Sequence, residues 1–159
     1  MTKHHGRQTI KQLEKRKGGY HYIRISSSII DSFERKRKTR LICTLDSMIS
    51  YRCGLNHLGD GNYFIIISGK YLKELGKGLG EEVTWKIEED PDPLGVEIPE
   101  VLAVFLTQDT HANEIFQKLT DGKKRSLIYS IIKIKDFDSQ VRTIIDFLEE
   151  QSRRMGSAR

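Results

Sequence analysis

Between Gly18 and Asp90 apolar and polar residues alternate in short runs. Tyr20, Tyr22 and Arg24 alternate with His21, Ile23 and Ile25, the period of two that marks a half-buried strand. Runs of the same kind cover Arg40 to Gly54, Asn62 to Ser68 and Glu82 to Glu89. In the last of these Val83, Trp85 and Ile87 share one face and are expected to point inward. The run from Tyr63 to Ile67 is apolar on both faces, which predicts an interior strand. Asp46-Ser47 and Gly59-Asp60-Gly61 supply turns, the glycines because they tolerate positive φ. Two short helical inserts interrupt the strands. Ser26 to Ser28 can cap one that carries Ile29, Ile30 and Phe33; the other carries Tyr71, Leu72 and Leu75 and ends at Gly76, Gly78 and Gly80. Short strands at this spacing predict a small, mostly antiparallel β-barrel or sandwich. Ahead of it, Met1 to Arg7 reads as a loose polar end, and Gln8 to Lys17 as an edge strand guarded by Lys and Arg.

Asp90-Pro91-Asp92-Pro93 stops the sheet, because proline lacks a donor and restricts the residue before it. Beyond it the period lengthens to about 3.6. Pro99 can start a helix bearing Val101, Leu102, Phe105 and Leu106, and Ala112, Ile115, Phe116 and Leu119 mark a second. Thr120 or Asp121 can cap a third with Leu127, Ile128, Ile131 and Ile132. Asp138 or Ser139 can cap a fourth with Val141, Ile144, Ile145 and Leu148, and Gly156 to Arg159 should fray. The fold class is therefore α+β, with a strand-rich domain over residues 8–92 and a helical tail over 93–153.

Charge changes this picture in one respect. The net +5 conceals an uneven distribution: residues 1–40 carry twelve Lys and Arg against three Asp and Glu. Residues 41–97 carry five against ten, and the remainder is nearly balanced. Lys15, Arg16 and Lys17, with Arg35, Lys36, Arg37, Lys38 and Arg40, could attract phosphates in a sequence-blind, salt-dependent way. The plainer reading is a solvated loop beside an edge strand. Lys123, Lys124, Arg125, Lys133, Lys135 and Arg142 could receive an acidic partner, or simply form the polar side of amphipathic helices. Tyr20, Tyr22, Tyr51 and Tyr63 could stack bases, or pack as half-buried strand residues.

No nucleophile–base pair and no ligand cluster stands out, so neither an enzyme nor a cofactor or metal is expected. His4, His5, His21, His57 and His111 are scattered, and Asp60 reads as a turn aspartate bonding its own backbone. Cys43 and Cys53 lie in one hairpin; they read as free thiols, although a bridge is geometrically conceivable. There is no apolar leader and no run long enough to span a bilayer, so a cytoplasmic location without membrane insertion is expected.

The order of parts resembles bacterial proteins that join a small barrel domain of unknown function to a helical tail of the bacteriocin-protection, YdeI/OmpD-associated type. The first half matches in Gly18-Gly19-Tyr20, Tyr51-Arg52, Gly59-Asp60-Gly61-Asn62-Tyr63, Lys70 and Gly80-Glu81-Glu82-Val83. The tail matches in Phe116, Leu119, the segment from Arg125 to Ile132, then Lys135, Ser139, Arg142 and Ile144. The chain departs from the family pattern at Ser26, at Ser47-Met48 where the family has an Asn-Gly hairpin, at Ile134-Lys135, and at Ser139-Gln140. The resemblance implies a double-split barrel, no known catalysis and no cofactor. It implies an interaction protein, monomer or homodimer, with an unidentified protein partner and a role in protection against bacteriocins or antimicrobial peptides. The alternative is a nucleic-acid-binding regulator that uses the basic N-terminal quarter.

Overall fold

Among the described residues eight strands, β1 (Lys3–Thr9), β2 (Lys11–Gln12), β3 (His21–Ile25), β4 (Leu41–Leu45), β5 (Ile49–Cys53), β6 (Asn56–His57), β7 (Tyr63–Ile67) and β8 (Glu82–Glu89), form two antiparallel four-stranded sheets. The structure, a computed structural model, describes residues 3–157. One sheet has the order β1-β8-β4-β5 and the other β2-β3-β7-β6. No closed barrel forms among the described residues. Instead the chain crosses between the sheets at both edges, from β1 through Ile10 into β2, and from β5 through Gly54 and Leu55 into β6. Ile10 sits fully buried at the first corner, and its backbone bonds to Gly80 and Glu81.

The inner faces supply one core. It contains Ile23, Ile25, Leu41, Cys43, Leu45, Ile65, Ile67, Val83, Trp85 and Ile87, with Ile30 from the first insert, Phe33 just after it and Leu75 from the second. Those inserts are α1 (Ser27–Asp31) and α2 (Gly69–Leu75). The Ser68 hydroxyl accepts from the Tyr71 N–H at the start of α2, and Gly76 ends it in the left-handed conformation. The interior strand expected over Tyr63 to Ile67 is β7, flanked by β3 and β6.

The N-terminal strand corrects the sequence reading. Lys3 to Arg7 is not loose but pairs with β8, Lys3 opposite Glu88 and Thr9 opposite Glu82; Met1 and Thr2 lie outside the described residues. The edge strand expected from Gln8 to Lys17 breaks at Ile10, and Lys15–Lys17 forms a 3₁₀ turn. Hydropathy concealed β1 because its inward residues are His4, Gly6 and Gln8, none of them apolar in the usual sense. Each nonetheless fits. The His4 ring meets Phe33 edge-on at 5.6 Å. Gly6 lies opposite Trp85, and a Cβ there would come within 2.7 Å of the indole. Gln8 takes the backbone of Arg24 in both senses, donating at 2.8 Å and accepting at 2.7 Å, so one amide links the two sheets.

The described residues divide into two compact units, the first ending at Gly95 and the second beginning at Val96. The second is helical: α3 (Glu100–Gln108), α4 (Thr110–Lys118), α5 (Asp121–Ile132) and α6 (Phe137–Ser157). Asp109 and Thr120 cap α4 and α5 by accepting from Ala112 and Lys123. The cap of α6 is Asp136, which accepts both the N–H and the hydroxyl of Ser139, rather than Asp138 or Ser139 as expected. Helix α6 runs through Gly156 without the fraying expected there, and Ala158 and Arg159 lie outside the described residues. It packs on α3, α4 and α5, and its buried Ile144 and Leu148, spaced one turn apart, join Leu102, Leu106, Ile115, Phe116, Leu127, Ile128 and Ile131 among the buried residues of this unit.

Candidate functional site

The basic residues that stood out in the sequence fall in separate elements. Lys15, Arg16 and Lys17 occupy the turn between β2 and β3, where Arg16 pairs with Glu14 at 2.7 Å. Lys36, Arg37 and Lys38 form a second exposed 3₁₀ turn, entered through Lys36 at φ 49°. That turn follows Phe33, which touches His4 near the start of β1, whereas the first turn lies beyond the far end of β1 and past Gln12. Seven residues of strand, roughly 20 Å, separate those ends. Arg40 leaves the exposed group altogether. Its guanidinium is pressed between Gly54 and Gly95, where an added Cβ would fall 2.4 Å from it, and its Nε is buried with no hydrogen-bond partner.

Three of the four tyrosines pack against other rings. Tyr22 packs on Phe64, Tyr63 on His57, and Tyr51 stacks on Tyr71 at 4.6 Å while donating its hydroxyl to the Ile66 carbonyl. Burial, with Cys43 and Cys53 nearby, drives the Tyr51 hydroxyl far above its ordinary pKa. Cys43 and Cys53 are free; a hydrogen bond to Cys43 and burial raise the Cys53 thiol well above its usual value, so it is a poor nucleophile. Asp60 accepts the Asn62 N–H at 2.9 Å, an aspartate closing its own turn. No cluster of three potential metal ligands occurs among the described residues.

One ion-pair cluster is partly buried. Asp90, at 3% exposure, accepts from Arg52 Nε at 2.7 Å and from the Asp92 N–H at 2.9 Å, and Arg52 also reaches Asp92 at 3.2 Å. This clasp pins the acidic proline turn where the first unit ends. The buried Asp90 carboxylate finds its partners, Arg52 and the Asp92 N–H, within the protein, which marks the clasp as structural.

The helical unit carries the more suggestive surface. Of the residues expected on the inner stripe of α6, Ile144 and Leu148 are buried, but Val141 and Ile145 face a groove. On α3, Leu102 and Leu106 are buried while Val101 and Phe105 face the same groove. Phe137 at 63% exposure, Val104 at 46% and Ile145 at 39% leave apolar surface open. Hollows of about 750, 460 and 200 Å³ adjoin one another, sharing Phe105, Phe137, Val141 and Ile145. Five carboxylates, those of Glu100, Asp109, Asp138, Asp146 and Glu149, border them against a single guanidinium, Arg142. The other basic candidates, Lys123, Lys124, Arg125 and Lys135, lie on or just after α5, whereas Arg142 lies on α6; Lys124 rests over the Phe116 ring. The sequence did carry this signal: apolar residues at Phe137, Val141, Ile144, Ile145 and Leu148 cover more of α6 than one buried stripe needs.

A family model described as a domain of unknown function, DUF1905, matches residues 7–87, more than half of the chain. The chain belongs to the DUF1905 family. A second model, described as Bacteriocin-protection, YdeI or OmpD-Associated, matches residues 95–153. No curated protein and no solved structure matches the chain. The DUF1905 match thus takes in the two-sheet unit from within β1 into β8, and the second match takes in α3, α4, α5, α6 as far as Arg153, and the groove. The two matches fall in the order the sequence resemblance implied. No helix of the described residues is long and apolar enough to cross a membrane.

Proposed function

We propose that this DUF1905 chain is an interaction protein that protects its cell against bacteriocins or antimicrobial peptides, acting by binding rather than by chemistry. The observation that carries the reading is the match of residues 95–153 to the model whose description names bacteriocin protection. The exposed apolar groove in that same segment supports it, since open apolar patches of this kind serve partner recognition. On this reading the two-sheet unit is an opened relative of the double-split barrel, with the chain passing between sheets at both edges, and the protein works in the cytoplasm. The regulator alternative has no comparable support, because its cations fall into separate turns and Arg40 is withdrawn from them.

The test is a killing curve. Host cells expressing the chain should survive a higher dose of a bacteriocin or cationic peptide than cells without it, and the peptide recovered from them should have unchanged mass. Superimposed killing curves would refute the protective role. A cleaved or modified peptide appearing only with the chain would refute action by binding alone.

A further inference from the structure

We infer that the groove between α3 and α6 binds a cationic amphipathic helix directly, laying the partner's apolar face on Val104, Phe105, Phe137, Val141 and Ile145. This deepens the protective reading and rests on it for biological context. Two independent features point to such an occupant. The first is shape and polarity. Phe137, Val141 and Ile145 recur every four residues, so they form a ridge along α6, and Val101, Val104 and Phe105 form its counterpart on α3. A valley between two helices is the receptor geometry for an apolar helix face, read by the partner at i, i+3, i+4 and i+7. From Phe137 to Ser152 the lined stretch of α6 is roughly 22 Å long at 1.5 Å per residue, which a partner helix of about 15 residues would match.

The second feature is charge. The helical unit as a whole is close to neutral, yet its charges are sorted. The carboxylates bordering the groove outnumber its cations five to one, while Lys123, Lys124, Arg125, Lys133 and Lys135 belong to α5 and the turn after it. An acidic rim around an apolar floor selects a ligand whose polar face carries Lys or Arg, and it rejects an acidic or neutral helix of equal hydrophobicity. A second copy of this groove would set one acidic rim against another, which disfavours self-association through this face.

The full chain should be titrated into two labelled synthetic peptides of about 15 residues, one of Leu and Lys and one of Leu and Glu in the same amphipathic pattern. Fluorescence anisotropy should show the Leu/Lys peptide binding at least about tenfold more tightly than the Leu/Glu peptide, a preference that weakens with salt. Equal affinity for both, or affinity for neither, overturns the inference. Phe137→Lys and Val104→Lys change exposed side chains, so folding should survive, as far-UV circular dichroism would show. Each should weaken Leu/Lys binding about tenfold or more, and undiminished binding places the site elsewhere and overturns the inference. If ultracentrifugation shows a dimer that Phe137→Lys dissociates, and the Leu/Lys peptide does not bind, the occupant is a second copy and the inference fails. The killing curve separates the two levels of the argument. Protection that persists in a chain unable to bind the Leu/Lys peptide sinks the groove assignment and spares the protective role. Tight, groove-dependent binding without protection does the reverse.

Discussion

Replacing Arg52 by Ala strands the Asp90 carboxylate. That group is 3% exposed and would keep only the Asp92 N–H as a partner. Breaking a fully buried pair from one side costs about 3–5 kcal/mol, because the remaining charge stays out of water. Arg52 itself is 34% exposed, so water can approach the vacated side, and the expected loss falls to about 2–3 kcal/mol. Trp85 is the only tryptophan, is buried in the first unit, and reports its unfolding by emission. With a urea slope of about 1–1.5 kcal/mol per molar for a unit of this size, the midpoint should drop by roughly 2 M. Adding Asp90→Asn to Arg52→Ala should recover part of that loss, since a neutral amide is cheaper to bury than an unpaired carboxylate. A drop below about 0.5 M, or a double variant no more stable than the single one, would show that the clasp contributes little to the fold.

Three further outcomes follow from the same unit. Gly6→Ala should destabilise it by about 1–2 kcal/mol and shift Trp85 emission even in the native state, since the new methyl meets the indole; an unchanged spectrum and midpoint would contradict the packing. Ser47→Gly should stabilise it by about 1 kcal/mol, because Asp46 and Ser47 both hold positive φ, 50° and 54°, where glycine is unstrained; a lower urea midpoint would refute this. Burial pushes the Asp46 carboxyl up, but Lys77 and the Thr84 N–H and hydroxyl outweigh it and hold the group below the ordinary aspartate range. The folded state therefore releases this proton more readily than the unfolded chain. Its stabilisation is complete above about pH 3.9 and is lost as pH falls through the lower folded value. The gap in stability between the native chain and Asp46→Asn should be clear near pH 6 and close towards about pH 3, and a gap that ignores pH would count against the assignment.

Much of this was legible in the sequence, and the failures share one cause. Strands β3, β4, β5, β7 and β8 announced themselves because most of their inward positions are Ile, Leu, Val, Trp, Tyr or Cys, which gives alternation something to register. Strand β1 did not, because its inward side is filled by His4, Gly6 and Gln8, whose fit depends on Phe33, Trp85 and Arg24 from distant parts of the chain. The hairpin turn was visible in Asp46-Ser47, and both residues hold positive φ. Helical periodicity located all four helices, but it could not tell which of two adjacent apolar stripes on α3 and α6 is buried, and the groove lies on the other one. Basic runs drew the eye by local density, whereas the rim of the groove is assembled from residues spread between Glu100 and Glu149.

The pairing of β1 with β8 has a bearing on biosynthesis. Lys3 waits for Glu88, so β1 leaves the ribosome well before its neighbour and cannot pair with it until roughly 80 more residues have been made. At about 5–20 residues per second that is a delay of some seconds, spent with its hydrogen-bonding groups uncovered. A strand of Lys3, His4, His5 and Arg7, nearly devoid of greasy side chains, tolerates such a delay without sticking to its neighbours. The composition that hid this strand from a hydropathy pattern is thus also what keeps a late-docking segment safe in the nascent chain.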